Sequence, residues 1–213
     1  MTRLTRANRP GNVIVTISRE YGAAGLAVAD GVAEALGYDL LTDVPRSVAA
    51  RLGTSTDDLA RATGAASFSE RVLGGLEAGT PEVLSAATIP DAFDETVRRE
   101  IERTIRERAS RGDIVILGRN AGSVLGRGPD VVRVFLSGER AWRVARLVES
   151  FGGTAAEAAA DVERVDATRR KFAKERYKTV WGDARHYDLL LDASRFGVDA
   201  TAALIVAAVH ALR

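Results

Sequence analysis

The sequence has 213 residues, of which 46% are hydrophobic and 28% charged, which is enough apolar material for the core of one globular domain. Thirty basic and 29 acidic residues leave a net charge of +1, so charge gives no argument for a nucleic-acid or membrane partner. With no cysteine and only two histidines, the chain lacks disulfides, thiolate metal sites and a cysteine nucleophile, and a zinc site is disfavoured.

Residues 1–11 are basic and polar, and they predict a flexible tail rather than a signal peptide, which needs an apolar stretch. No apolar run approaches the length of a membrane span. We therefore expect a cytoplasmic protein in which residues 12–213 form a single domain.

The segment from Val13 to Leu36 predicts a strand, a glycine-bearing loop and a helix. β-Branched residues dominate 13–17, Gly22 and Gly25 lie in the loop, and apolar residues then recur at helical spacing. Such a loop brings backbone N–H groups and the positive end of the helix dipole to one point, where phosphate is a common ligand.

This loop departs from the phosphate-loop pattern G-x-x-x-x-G-K-[ST], because Leu26 and Ala27 follow Gly25 where that pattern has lysine and a hydroxyl. The lysine neutralises the terminal phosphates and the hydroxyl reaches magnesium. Two interpretations stay open. The loop binds phosphate through its backbone, or it is a tight turn whose small residues let the helix pack on the strand.

A second strand is predicted at Tyr38–Leu41, after Gly37 as the helix C-cap. A strand, loop, helix and strand within so short a stretch are typical of an α/β unit with a parallel sheet. The ends of the two strands, near Ser18 and Asp43, should then share the edge at which such sheets bind ligands.

Residues 44–111 predict a helical insertion, which ends in a long helix from Asp91 to Arg111 with Val97, Ile101 and Ile105 on its apolar face. Apolar positions between 59 and 76 also suggest short helices. Their apolar faces could pack within the molecule or form a homodimer, and periodicity does not separate the two.

The run Asp113–Leu117 predicts a buried strand, and the glycine-flanked turn after it carries Arg119. Arginine at this edge is placed to meet a phosphate with its planar guanidinium. The alternative is an arginine that pairs or caps locally.

The rest of the chain predicts two further strands and three helices. Thr154 and Glu157 have the spacing of a capping box, and the helix after them runs into a basic segment that predicts a mobile lid. These elements are a strand at 131–136, helices at 139–151 and from 155 onwards, a strand at 187–192 and a helix at 199–212.

In this order the motifs resemble the cytidylate kinase-like family, a branch of the P-loop nucleoside monophosphate kinases. The likeness covers nearly the whole chain except the tail and residues 54–90. The stretches that carry it are 15–22, 118–121, the basic segment 164–178, 181–183 and 187–188.

The resemblance implies a P-loop NTPase-like parallel sheet flanked by helices, with core 12–43 and 112–213, a helical monophosphate-binding insertion at 44–111, and an arginine-rich lid at about 152–183. It implies transfer of the γ-phosphate of ATP, bound with Mg²⁺, to a small-molecule acceptor, most typically a nucleoside monophosphate. The implied ATP phosphate site comprises Ser18, Arg19, Gly22, Ala23, Ala24 and Gly25. The implied acceptor site comprises Asp43, Arg119, Asn120, Asp166 and Arg169, and the implied catalytic residues are Arg119, Arg169 and Arg170.

The chain departs from the family pattern at two places. Bacterial cytidylate kinases typically have aspartate where Asn120 stands, and this branch often has arginine where Leu26 stands. Arg19, Arg169 and Arg170 are the candidates for supplying the missing cation. Three hypotheses follow: a CMP-like kinase, a nucleotide-binding pseudo-kinase with a regulatory or scaffold role, and a kinase for another small metabolite.

Overall fold

The computed structural model describes residues 12–42, 44, 48, 51–53 and 91–212, and within this range the side chains of 91–94 are left aside. The predicted tail, Asp43 and residues 54–90 of the predicted insertion lie outside the described residues.

Five parallel strands form one sheet in the order β2-β3-β1-β4-β5, which confirms the predicted fold class. The first strand lies at the centre, hydrogen-bonded to β3 on one side and to β4 on the other. The strands are β1 Ile14–Arg19, β2 Asp39–Leu41, β3 Ile114–Leu117, β4 Val131–Ser137 and β5 Leu189–Asp192.

Six α-helices of the described part connect and flank these strands. They are α1 Gly25–Leu36, α2 Asp91–Ala109, α3 Ala121–Leu125, α4 Arg140–Phe151, α5 Ala155–Tyr177 and α6 Ala193–Ala211, with a short 3₁₀ helix at Ala184–His186. The last helix is kinked at Gly197, whose φ of 76° is not helical. It therefore begins six residues earlier than the predicted start at Asp199, while α3 was not predicted.

Apolar side chains cover both faces of the sheet, as its near-continuous apolar strands require. On one face Val15 and Ile17 pack among residues of α1 and α6. On the other, Ile114 and Ile116 pack against the predicted apolar stripe of α2, in which Val97, Ile101 and Ile105 are all buried. The helices α4 and α5 form a separate hairpin with its own small core.

The predicted capping box at the start of α5 is confirmed. The Thr154 hydroxyl accepts a hydrogen bond from the Glu157 backbone at 3.2 Å, and the Glu157 carboxylate accepts one from the Thr154 backbone at 2.9 Å. These contacts lower the pKa of Glu157.

Replacing Thr154 with alanine should lower the free energy of unfolding by about 1 kcal/mol, because the first turn of α5 loses its side-chain acceptor. Urea unfolding followed by circular dichroism measures the change, and Thr154→Ser serves as the control that keeps the hydroxyl. Equal stability of the alanine and wild-type proteins would contradict the prediction.

An ion pair joins Arg133 of β4 to Asp188, the residue just before the edge strand β5. The guanidinium of Arg133 donates to both carboxylate oxygens of Asp188, at 2.9 and 3.1 Å, and the Arg133 backbone donates to the same carboxylate at 2.9 Å. Arg133 is 7% exposed. These bonds hold the pKa of Asp188 below its usual value of 3.8.

Replacing Asp188 with asparagine should lower the free energy of unfolding by about 1.5–3 kcal/mol at neutral pH, the range for hydrogen bonds to charged groups. Because folding lowers the pKa of Asp188, the ionic contribution is present above the unfolded-state pKa and is lost as the pH falls through the folded-state value. Chemical unfolding at a series of pH values should therefore show the two proteins converging below about pH 4. A difference that is the same at pH 7 and pH 3 would show that the charge plays no part.

Candidate active site

The loop between β1 and α1 is shaped to leave backbone amides at the carboxyl edge of the sheet. Ala24, the N-cap of α1, has a left-handed φ of 55° and makes no side-chain cap. The first amides of α1 therefore have neither an intrahelical acceptor nor a capping side chain, which is the arrangement found where helices bind anions. A Cβ atom added at Gly22, whose φ is 81°, would lie 2.8 Å from the Arg143 carbonyl oxygen of α4. Glycine lets the loop lie directly on that helix.

The turn after β3 lies beside this loop. Gly118, Arg119 and Asn120 all have left-handed φ values, of 79°, 53° and 51°. The amide of Gly118 donates to the carbonyl of Ile17 in β1 at 2.9 Å, which fixes the turn to the central strand. Consecutive left-handed conformations at Arg119 and Asn120 are strained for residues with a side chain, and strain of this kind concentrates at ligand sites.

Three arginines from different elements meet between the loop and the turn. The side chain of Arg19, the last residue of β1, packs on Gly25 and reaches the turn, since a Cβ added at Gly118 would collide with its Nη1 atom. Arg169 of α5 donates from Nη1 to the backbone oxygen of Arg19 at 2.9 Å and lies over the ring of Tyr21 at 5.7 Å. Arg119 acts electrostatically on both of the others.

This concentration of positive charge is visible in the pKa values. Desolvation within the protein, then the charges of Arg169 and Arg119, lower the pKa of Arg19 to about 9. Desolvation also lowers the pKa of Arg169, although Asp166 opposes the shift. Arg19 remains cationic at neutral pH, and burial together with the two neighbouring arginines disfavours its charged form. A bound anion would supply the missing stabilisation.

Comparison with known proteins shows to which family the chain belongs. Residues 14–195 match the cytidylate kinase-like family over most of the chain. The chain belongs to that family. It is 32% identical over 125 residues to a cytidylate kinase from Methanopyrus kandleri and 30% identical over 119 residues to one from Halobacterium salinarum. These alignments include 53% and 55% of this chain but only 63% and 62% of the two relatives, so the chain spans less than two thirds of their length.

Solved structures support the fold. An uncharacterized protein from Eubacterium ventriosum superposes with a TM-score of 0.68 at 22% identity, covering 94% of this chain and 99% of that one. A shikimate kinase from Bacteroides thetaiotaomicron superposes with a TM-score of 0.56 at 12% identity over 94% and 99% of the two chains. At these identities the likeness concerns the fold.

A buried ion pair holds the loop in place, and it involves Asp166, which was predicted to contact the acceptor. One carboxylate oxygen of Asp166 accepts from the Tyr21 amide at 2.8 Å, and the other from Nη1 of Arg143 at 2.7 Å. The same Arg143 nitrogen donates to the Tyr21 carbonyl at 3.0 Å. Asp166 is 3% exposed. Its carboxylate is engaged in supporting the loop, and its contact with an acceptor stays a prediction.

Glu20 completes this support from the other side of the loop. Its carboxylate accepts from the Gly138 amide at 3.1 Å and lies 3.5 Å from Nε of Arg143. Sequence analysis did not single out Glu20 or Arg143. The helical spacing of α4 could have indicated that Arg143 is buried, because it lies one residue before Val144 and four before Leu147, both of which are buried. An arginine on a buried face needs a partner.

The other predicted site residues are distributed around the edge. The hydroxyl of Ser18 hydrogen-bonds with the Tyr187 phenol, and the buried Nδ2 of Asn120 has no hydrogen-bond partner among the described residues. Arg170 is exposed and lies 6.0 Å from the Trp181 ring, whereas Arg169 contacts the loop. Leu26 is 60% exposed, so the position of the usual lysine presents an apolar side chain to solvent.

A concavity of about 540 Å³ lies at the same edge, beyond the ends of β4 and β5. Because β1 is central in the sheet, the concavity and the Arg119 turn lie on opposite sides of the loop. It is lined by Ser137, Gly138, Glu139, Asp192, Ser194 and Arg195.

The residues present suit the phosphates of ATP, since the loop offers glycine-dependent close approach, helix amides and cations. Within the described ranges, no group of three or more acidic or histidine side chains is arranged to hold a metal ion. None of the described helices is long and apolar enough to cross a membrane.

Proposed function

We propose that the protein is an ATP-dependent phosphotransferase that phosphorylates a nucleoside monophosphate such as CMP. The observation that carries the proposal is the meeting of Arg19, Arg119 and Arg169 beside the loop at the start of α1. Membership of the cytidylate kinase-like family and the similarity to two cytidylate kinases support the choice of reaction and acceptor.

The order of the strands suggests how the substrates lie. The phosphates of ATP would contact the amides of Gly22–Gly25 above β1, with the rest of ATP toward the concavity at β4 and β5. The acceptor phosphate would meet Arg119 above β3. The two phosphate groups would then face each other between the loop and the turn after β3, which is the alignment that phosphoryl transfer needs.

In the transfer itself, the chain supplies position and charge rather than a covalent intermediate. The loop amides and the arginines would hold the phosphates of ATP, and magnesium bound with ATP would supply further positive charge there. The Arg119 guanidinium would hold the acceptor phosphate by two parallel hydrogen bonds. Arg169, on α5, would place a second positive charge next to the reacting phosphates. The segment around α5, including Arg170, would act as the lid that excludes water.

The test is coupled ADP release with magnesium and ATP against a panel of nucleoside monophosphates, with a control lacking acceptor. Turnover with CMP or dCMP is the expected result. Thermal-shift titration of the same compounds separates binding from catalysis. Absence of turnover on every acceptor, with or without nucleotide binding, would overturn the proposal.

A second candidate is a nucleotide-binding protein without useful catalysis. The exposed Leu26 favours it, because the cation usual at this position is absent. This candidate predicts that ATP or ADP raises the melting temperature while no acceptor leads to ADP formation. Turnover with a different small metabolite, with CMP inert, would instead favour a kinase with another acceptor, in keeping with Asn120 in place of the usual aspartate.

A further inference from the structure

We propose that Arg19 replaces the missing loop lysine as the cation that neutralises the phosphoryl group during transfer. This inference rests on the proposed function and specifies how that site works without lysine. It selects one residue from the three arginines that the sequence left as candidates.

The position of Arg19 carries the inference. Its side chain crosses from Gly25, at the start of α1, to Gly118, at the turn that holds Arg119. It therefore lies between the loop proposed for the ATP phosphates and the turn proposed for the acceptor phosphate. The transferred group must pass between these two places, and Arg19 borders both.

Two glycines leave the space that the Arg19 side chain occupies. A Cβ at Gly25 would lie 2.7 Å from Cγ of Arg19, and a Cβ at Gly118 would collide with Nη1. Glycine at both positions leaves the space that the guanidinium and its stem occupy. The backbone oxygen of Arg19 is held by Arg169 at 2.9 Å, which fixes the stem at its base.

The positive charges next to Arg19 favour the binding of an anion there. The neighbouring charges that act on it are those of Arg169 and Arg119, and within the described part of the chain no carboxylate pairs with its guanidinium. The buried arginines Arg133 and Arg143 have such partners in Asp188 and Asp166, whereas the half-buried Arg19 has none among the described residues. A partly desolvated cation next to two other cations is stabilised when an anion binds.

The two other candidates are placed less well. Arg170 is exposed and lies against Trp181. Arg169 faces the loop from α5, but it already donates to the Arg19 backbone and stacks on Tyr21. At both Gly25 and Gly118 the nearest side-chain atoms belong to Arg19 and to neither of these arginines.

In the proposed step an oxygen of the acceptor phosphate forms a bond to the γ-phosphorus of ATP. The bond from that phosphorus to the β,γ-bridging oxygen breaks, and its electron pair leaves with ADP. Arg19 gains and loses no proton or electron. It stabilises the negative charge on the transferring group and on the leaving oxygen, which is the usual work of the lysine.

The experiment compares Arg19→Met and Arg19→Lys with the wild type, and uses Arg140→Met as a matched control, because Arg140 is an exposed arginine paired with Glu163 on the surface. Each protein is titrated with inorganic phosphate in a thermal-shift assay and is assayed for ADP release with ATP and the best acceptor. The phosphate titration needs no turnover, so it tests the anion site separately from the proposed function.

We expect Arg19→Met to melt at the same temperature as the wild type or higher without phosphate, to lose the rise in melting temperature with phosphate, and to turn over about 100- to 1,000-fold more slowly. Arg19→Lys should recover part of both properties, and Arg140→Met should resemble the wild type.

Wild-type protein that does not respond to phosphate, or an Arg19→Met protein that keeps the response, would overturn the inference. So would a large fall in melting temperature for Arg19→Met without phosphate, which would make Arg19 a structural residue. Wild-type protein without turnover on any acceptor, but with a phosphate response that Arg19→Met abolishes, would place the failure in the proposed function instead.

Discussion

Replacing Asp166 with alanine should lower the free energy of unfolding by about 3–5 kcal/mol, the range for removing one partner of a buried ion pair. The variant would leave the Arg143 guanidinium, only 8% exposed at its side chain, without its carboxylate partner at 2.7 Å. It would also remove the acceptor of the Tyr21 amide. Urea unfolding monitored by circular dichroism measures the loss.

The chain contains a matched control for this experiment. Arg140 and Glu163 connect the same two helices, α4 and α5, three residues before Arg143 and Asp166 in the sequence. Their side chains are 55% and 62% exposed. Because solvent screens an exposed pair, Glu163→Ala should change the unfolding free energy far less than Asp166→Ala does. Equal losses for Asp166→Ala and Glu163→Ala would show that burial of the inner pair is without effect.

Asp166→Ala should also lower the affinity for ATP, because the ion pair holds the loop that forms the ligand site. Asp166 and Arg143 hold both the amide and the carbonyl of Tyr21, which precedes Gly22. With these bonds gone, the amides at the start of α1 would no longer be fixed for phosphate. Because preorganised donors are effective only when held in position, the affinity for ATP should fall even at temperatures where the variant is folded.

The sheet and its flanking helices were predictable because their residues carry local patterns. The strand at 114–117 is apolar without interruption, the strand at 131–136 is interrupted only by Arg133, and the stripe of Val97, Ile101 and Ile105 has the period of a helix. The predicted start of α6 at Asp199 was too late, because the helix begins at Ala193 and continues through a kink at Gly197. The five-residue α3 is too short for a periodic pattern, as only Ala121 and Val124 of it are buried.

The site was harder to predict because its contacts join residues far apart in the sequence. Arg143 and Asp166 are 23 residues apart and meet only because α4 and α5 fold back on each other. The direction of the Arg19 side chain depends on two glycines, one in the loop and one in the turn after β3. No local pattern distinguishes an arginine that enters a site from one that stays in solvent, as the neighbours Arg169 and Arg170 show.

Removal of the Arg119 side chain should lower turnover with the acceptor about tenfold or more while leaving the fold intact. The turn after β3 already forces Arg119 into a left-handed conformation with a φ of 53°, and alanine would adopt it under the same strain. The variant also removes one positive charge from a cluster in which Arg119 lowers the pKa of both Arg19 and Arg169. Its melting temperature should therefore stay close to that of the wild type.

The kinetic constants show how Arg119 acts. If the guanidinium holds the acceptor phosphate in the ground state and more strongly in the transition state, Arg119→Ala should raise KM for the acceptor, lower kcat, and leave KM for ATP nearly unchanged. Arg119→Lys keeps the charge but loses the paired hydrogen bonds, and its activity should lie between the two proteins. Arg140→Ala removes an exposed arginine from α4 and should behave as wild type. Wild-type acceptor kinetics in Arg119→Ala would mean that the strained turn serves another purpose, and the acceptor site would then have to be sought away from β3.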